Sequence, residues 1–323
     1  MREIARQLYE WQCAGTDFAL ATVIGTGGSA PRPPGAAMAV SAQGQVVGSV
    51  SGGCVEAAVH QLCLEALESG VAVRQRFGYS DDDAFAIGLT CGGEVEVFVH
   101  PRPGPALAPA LTALARDEPV TVLRTLDAHA RTTVRAGEPE LETGVHGPEF
   151  VECYGSPPRM LIFGAIDYAA ALAALGRFLG YRVTVCDARA VFTTADRFPE
   201  AHEVVVQWPD RYLRSLPVDA RTVVCVLTHD AKFDVPLLEV ALRLPVGYVG
   251  AMGSRRTHAE RLARLREIGL TEGELARLRS PIGLDLGGRT PAETALSIAA
   301  EIVADLRGGS AASLARTAGA IHR

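Results

Sequence analysis

No uninterrupted apolar run in this chain is long enough to span a bilayer, so a membrane-spanning role is not expected. The first residues, MREIARQLYEWQCAG, are charged and helix-patterned and lack a signal-peptide core, so export is not expected and a cytoplasmic location is. A basic field is missing as well. Asp and Glu outnumber Lys and Arg, the net charge is −6, and nothing points to nucleic acid as a partner. Cysteine is sparse: seven residues, an odd number with no C-x-x-C pair, which fits a reducing compartment better than a disulfide framework. Nucleophile elbow, P-loop and zinc-ligand spacings are all absent.

What is present is enough apolar residue, 48% of 323, for two cores and hence two domains. The most informative stretch is 160–189, RMLIFGAIDYAAALAALGRFLGYRVTVCDAR from its preceding Arg159 onward. An apolar run at 160–163 predicts a buried strand. A glycine turn follows, then an Ala/Leu-rich helix ending at Gly180, then a second strand at 182–186 closing on Asp187. Strand, glycine turn, helix, strand and acid form the first unit of a dinucleotide-binding fold. The glycine pattern is imperfect: Gly164 and Ala169 stand at the first and third positions, but Ile166 occupies the second. That position is glycine so that bare backbone can approach a pyrophosphate. A branched side chain there, with Asp167 beside it, argues against NAD(P) binding. A purely structural Rossmann unit and a nucleotide-binding one both remain open.

In the first half, residues 2–13 predict an amphipathic helix with Ile4, Leu8 and Trp11 on one face. A strand at 18–24 leads into a glycine/proline loop, 25–35, that carries Gly27, Gly28 and one cation, Arg32. A hairpin around Ala42-Gln43-Gly44 runs into Ser51-Gly52-Gly53-Cys54, ahead of a helix at 55–68. Cys54 then sits at a helix start, where amides and dipole favour a thiolate; a buried packing thiol is the equal alternative. Cys91, Gly92 and Gly93 form a second glycine-cysteine turn before a strand at 94–99, and the pair of turns suggests loops that wrap something. The other cysteines, Cys13, Cys63, Cys153, Cys186 and Cys225, read as packing. Residues 106–116 predict a helix and 120–126 a strand. Residues 136–159, rich in Gly, Pro and Glu, read as a linker ending at Pro157-Pro158. The expected division is 1–155, 156–307 and a flexible tail, 308–323.

In the second half, strands alternate with helices, which implies a parallel sheet covered on both faces. Polar clusters fall at the strand ends: Asp187 to Arg189, His229-Asp230, and Ser254-Arg255-Arg256. Ser254 reads as an N-cap, placing two arginines in a first helical turn, where they call for a compensating anion from a neighbouring loop or a ligand. Arg289 precedes a capping box at Thr290–Glu293. His229 beside Asp230 is a weak acid/base or metal signal, and a structural hydrogen bond is the simpler expectation.

Together these stretches resemble the XdhC/CoxI family, accessory proteins for the maturation of xanthine dehydrogenase and related molybdenum hydroxylases. The resemblance rests on ATVIGTGGSAPRPPGAAMAV (21–40), GSVSGGCVE (48–56) and GLTCGG (88–93). It continues through LIFGA (161–165), VTVCDAR (183–189), RFPEA (197–201), LTHDAKFD (227–234), YVGAMGSRRTHAERL (248–262) and PIGLDLGGRTPAE (281–293). It implies an α/β chain: an N-terminal α/β domain of XdhC/CoxI type, then a C-terminal Rossmann-like doubly wound parallel sheet. It also implies a maturation factor, not itself an enzyme, that binds the molybdenum cofactor (molybdopterin) and delivers it to an apo molybdenum hydroxylase resembling xanthine dehydrogenase. The associated sulfuration step brings in a cysteine desulfurase as a further partner, and a homodimer is compatible with such a carrier. The residues expected to meet the cofactor are Gly27, Gly28, Arg32, Gly52, Gly53, Cys54, Cys91, Gly92, Gly164, Asp187, His229, Ser254, Arg255, Arg256 and Arg289. Cys54 and Cys91 are expected nearest the metal, and Arg255, Arg256 or Arg289 nearest the phosphate. Ile166 and Asp167 depart from the commoner family turn Gly-Ala-Gly-His. The competing expectation is an NAD(P)-dependent oxidoreductase working through the Rossmann half.

Overall fold

The computed structural model describes residues 1–28, 30, 32–78 and 93–318. The chain divides into two compact units, Met1–Ser156 and Pro157–Thr317.

In the first unit, α1 (Ala5–Cys13) is followed by β1 (Phe18–Gly27), β2 (Ala37–Ser41), β3 (Val46–Gly48), α2 (Glu56–Ser69), β4 (Val73–Phe77), β5 (Glu94–Pro101) and α3 (Ala108–Ala115). The five strands form an antiparallel sheet in the order β3-β2-β1-β5-β4. Strand side chains alternate between faces. On β1, Ala19, Ala21 and Val23 therefore pack with Val59, Cys63 and Leu67 of α2. Phe18 and Leu20 face the other way, onto Leu8 of α1 and Leu111 of α3. Covered on both sides, β1 buries seven consecutive residues. It also runs three residues further than its apolar stretch predicts, because the backbone of Gly25–Gly27 still pairs with Glu94–Glu96.

The expected linker is instead half of a second sheet. β6 (Val120–Thr125), β7 (Thr132–Ala136), β8 (Gly144–His146) and β9 (Glu149–Tyr154) pair antiparallel in the order β7-β6-β9-β8. β7 and β8 are short and largely exposed, so neither carries an apolar alternation, and the Gly and Pro residues make the turns. β9 hides its signal behind a buried acid, Glu152, which ion-pairs with buried Arg124 of β6. Arg124 Nη1 also donates to Thr22 Oγ1 of β1 at 2.8 Å, and Tyr154 Oη donates to Glu152 Oε1 at 2.6 Å. This polar knot ties the two sheets together. Burial, aided by the Arg124 charge, pushes nearby His100 down to about 3, so it is neutral at physiological pH. Of the cysteines expected to pack, Cys63, Cys186 and Cys225 are buried, whereas Cys13 is exposed and Cys153 is half-buried.

The second unit alternates as its sequence implies: β10 (Arg159–Phe163), α4 (Asp167–Phe178), β11 (Arg182–Asp187), β12 (Glu203–Val206), α5 (Pro209–Ser215), β13 (Val223–Val226), α6 (Ala231–Ala241), β14 (Tyr248–Ala251), α7 (Arg255–Glu267), α8 (Glu272–Leu275), β15 (Leu278–Arg279) and α9 (Pro291–Arg307). All six strands are parallel, in the order β12-β11-β10-β13-β14-β15. Counted within the unit this is 3-2-1-4-5-6, the order of doubly wound dinucleotide folds, with its switch point between β10 and β13. One face of the sheet is covered by Leu172 of α4 and Ile298 of α9. The other is covered by Leu213 of α5, Leu237 of α6, Leu265 of α7 and Leu275 of α8. The short α8 and β15 leave too few periodic residues to be read from sequence, although Thr271 and Glu274 form a capping box there.

Breaking the Arg124–Glu152 pair leaves an unmatched buried charge. Arg124→Met is expected to cost about 3–5 kcal/mol, with the Arg124→Met/Glu152→Leu double variant recovering a large part of it. Denaturant midpoints of the two proteins test this, and a single variant as stable as the double would show that the pair is not what holds these sheets.

Candidate functional site

The Gly-Gly-Cys turn is built around Glu56, the first residue of α2. Gly52 and Gly53 adopt φ of +82° and +122°, which wraps the backbone back over the helix start. Glu56 Oε1 accepts from Ser49 Oγ at 2.6 Å and from the amides of Val50, Ser51 and Gly52 at 3.2, 2.9 and 3.0 Å. Its Oε2 accepts from Ser51 Oγ at 2.6 Å and from the amides of Gly53 and Val55 at 2.8 and 3.2 Å. Burial alone would raise the Glu56 carboxyl, but the donors from Ser49 and Ser51 override it and hold the group down at about 2. The spacing in the sequence led to an expectation of open amides beside Cys54. In the fold the chain's own carboxylate fills them, so the turn offers no vacant anion cradle. Cys54 itself is half-buried, lies ahead of the helix cap Val55, and donates its N–H to Ser51 Oγ at 3.0 Å.

The glycine turn of the second unit has the same construction. Gly164 takes φ +118°, and a Cβ there would meet the Leu227 carbonyl carbon and the Thr228 nitrogen, both at 3.0 Å. Asp187, 1% exposed, reaches back to accept the Ala165 N–H at Oδ2, 2.9 Å. Arg189 closes the ring: its amide and Nε donate to Oδ1 at 2.9 and 3.0 Å, and Nη2 donates to Oδ2 at 2.7 Å. Burial favours protonation of Asp187, yet the bonds from Arg189 and Ala165 keep its carboxyl below the usual range. Both carboxylate oxygens of the acid that closes β11 are thus engaged. Ile166 packs against the core beside α4 and Ala165. Arg197 donates to Ala165 O at 3.2 Å and to Asp167 Oδ1 at 3.3 Å, and its guanidinium lies 5.9 Å from the Phe192 ring centroid. Arg197 escaped the sequence reading because nothing in RFPEA ties it to the glycine turn.

At the carboxyl ends of β13 and β14 the structure reveals a further network. Asp234, buried on α6, pairs with Arg261 of α7 at 2.8 Å and accepts from Thr228 Oγ1. Arg261 also donates to Ser280 Oγ at 3.1 Å and Met252 O at 2.9 Å. Burial raises the Asp234 carboxyl despite these bonds. Neither residue was singled out from sequence, since polar residues on helices ordinarily face water. His229 is exposed, and Asp230 is not its partner: as the cap of α6 it accepts from the Lys232 amide at 3.1 Å and pairs with Lys232 Nζ at 3.0 Å. Ser254 caps α7 as expected, accepting from Thr257 N at 3.1 Å. Arg255 and Arg256 are exposed, and the anion facing Arg256 is Glu260 of the same helix at 3.6 Å. Arg289 is exposed, and its amide donates to Glu293.

In the first unit, Gly27 ends β1 opposite Glu94, Gly28 follows it, and Arg32 pairs with Glu3 at 2.6 Å. Cys91 and Gly92 lie outside the described residues. Among the described residues, no group of three or more His, Cys, Asp or Glu is placed to hold a metal ion, and no helix is long and apolar enough to cross a membrane.

Two family models match the chain: one described as the XdhC and CoxI family over residues 11–78, and one described as the XdhC Rossmann domain over residues 160–302. The chain is 32% identical over 302 residues to the molybdenum cofactor insertion chaperone PaoD of Escherichia coli, covering 93% of this chain and 87% of that protein. It is 27% identical over 310 residues to a Bacillus subtilis protein described as a probable xanthine dehydrogenase subunit, covering 88% of this chain and 92% of the relative. A crystal structure described as a xanthine dehydrogenase from Bacillus halodurans superposes with a TM-score of 0.73 at 24% identity, over 96% of this chain and 98% of the other, and shares its fold.

Because Glu56 is held at about 2 in the folded turn against 4.5 in the free residue, its contribution to stability is complete above pH 4.5 and is lost as pH falls through about 2. Amide exchange at residues 50–55 is expected to lose protection across that window, and Glu56→Gln to remove the pH dependence. A wild-type profile matching the Gln variant would mean the carboxylate does not hold the turn.

Proposed function

The chain belongs to the XdhC and CoxI family, and on that premise we propose that it binds the molybdenum cofactor and delivers it to an apo molybdenum hydroxylase of xanthine dehydrogenase type. The observation that carries the reading is 32% identity to a molybdenum cofactor insertion chaperone, sustained along 93% of the chain. The cofactor is cargo: a pterin with a phosphate tail and an oxidisable dithiolene that holds the metal. Cys54 on its carboxylate-braced turn is the thiol we assign to the metal or sulfur end, and the sulfuration step of such hydroxylases makes a cysteine desulfurase a fitting third partner. Carriage by a homodimer belongs to the same reading.

The nicotinamide alternative finds less support. Asp187 is turned inward onto Ala165 N and Arg189, and Ile166 stands where bare backbone would have to meet a diphosphate.

Protein purified without oxygen and then denatured is expected to release pterin and molybdenum. A stoichiometric nicotinamide dinucleotide in their place would overturn the reading. Cys54→Ser is expected to fold normally, retain pterin and fail to activate the apo-hydroxylase in a reconstitution assay, with activity down about tenfold or more, as for loss of a group acting directly on the transferred centre. Full activation by this variant would return Cys54 to a packing role.

A further inference from the structure

A cavity of about 410 Å³ opens in the first unit, and its lining includes Arg2, Glu3, Arg32, Gly35, Cys153 and Tyr154. Its size lies within the range of small-molecule sites. Two guanidinium groups border it, and neither is fully matched. Arg2 donates Nη2 to Gly155 O at 2.7 Å and lies 5.9 Å from the Tyr154 ring centroid, and among the described residues it has no carboxylate partner. Arg32 donates Nη2 to Glu3 at 2.6 Å, in a pair whose acidic side chain is 70% exposed. The Nε of each arginine is closed off from solvent and, among the described residues, meets no acceptor, so the donors a guest can reach are those of the Nη groups, of which Nη2 alone is engaged in each. A guanidinium carries five N–H donors, so both cations hold unfilled capacity beside the same space.

The other ionisable groups around the cavity do not cancel this charge. Burial pushes the Cys153 thiol up and the Tyr154 hydroxyl well up, so both are neutral near pH 7. Behind the wall, Glu152 is matched by Arg124. That leaves Glu3, paired with Arg32, as the acid at the cavity, and exposed ion pairs of its kind are weak and readily exchanged. Guanidinium groups recognise phosphate through paired N–H donors and favour it over less charged anions.

We infer that this cavity is an oxyanion site that takes a phosphate monoester between Arg2 and Arg32, with Glu3 as the placeholder that the phosphate displaces. On the reading proposed above, that monoester is the phosphate tail of the cargo pterin; this identification rests on that reading, whereas the oxyanion site does not.

Titration of the full chain with inorganic phosphate at constant ionic strength, followed by calorimetry, tests the site. Wild-type protein is expected to bind saturably. Arg32→Gln and Arg2→Gln should each weaken binding about tenfold, the usual loss for a charge-assisted bond. Glu3→Gln should tighten binding about two- to fivefold, because the displaced ion pair no longer competes; as a gain, this cannot be mistaken for misfolding. No saturable binding, or equal affinity in all four proteins, would overturn the site. Pterin content then separates the two readings. Wild-type pterin in the Arg2→Gln/Arg32→Gln protein would detach the cavity from the cargo while leaving carriage intact. Arginine-dependent phosphate binding with no pterin in wild-type protein would uphold the cavity and sink carriage.

Discussion

Two carboxylates, Glu56 and Asp187, neutralise the backbone N–H groups that glycine turns expose, and much of the geometry around both turns follows. Left unpaired, each such amide would cost about 1–3 kcal/mol once buried. Glu56 answers five amides and two hydroxyls from residues 49–55. Asp187 answers Ala165 and is in turn clamped by Arg189. A turn satisfied from within is rigid and has no need of a bound anion. The Glu56 turn is filled in this way, whereas Asp187 takes one amide of the Gly164 turn, that of Ala165, and no side chain caps α4.

The second unit was largely legible because its rules are local. Apolar runs of strand length, glycine after β10, the N-caps at Ser254 and Thr290, and an acid at the end of β11 each announce themselves within a few residues. Their sum gives a parallel sheet covered on both faces, and the fold supplies its strand order. The first unit was harder. Its second sheet has exposed outer strands, and its inner strands carry Arg124 and Glu152 where alternation demands apolar residues. Ion pairs between strands far apart in sequence leave no periodic trace.

The candidate site was legible in its turns and less so in its charges. Sequence left the anion that Arg255 and Arg256 call for open between a neighbouring acid and a ligand; in the fold both are exposed, as is Arg289, and Arg256 faces Glu260 of its own helix. Arg2 drew no notice as one charge in an amphipathic helix, and only the fold brings it to the same cavity as Arg32. Asp234 and Arg261 were missed for a related reason: their burial is created by the packing of α6 and α7 and by nothing in their neighbours along the chain.

The Glu56 turn has a consequence for how long this loop keeps its form on its own. A loop that needs its guest in order to fold exists only as long as the guest is present, and an empty copy is open to proteases. Here the brace is a covalent part of the loop, and its charge persists at every pH a cell experiences. The thiol-bearing turn therefore keeps its shape with nothing bound, held by its own residues.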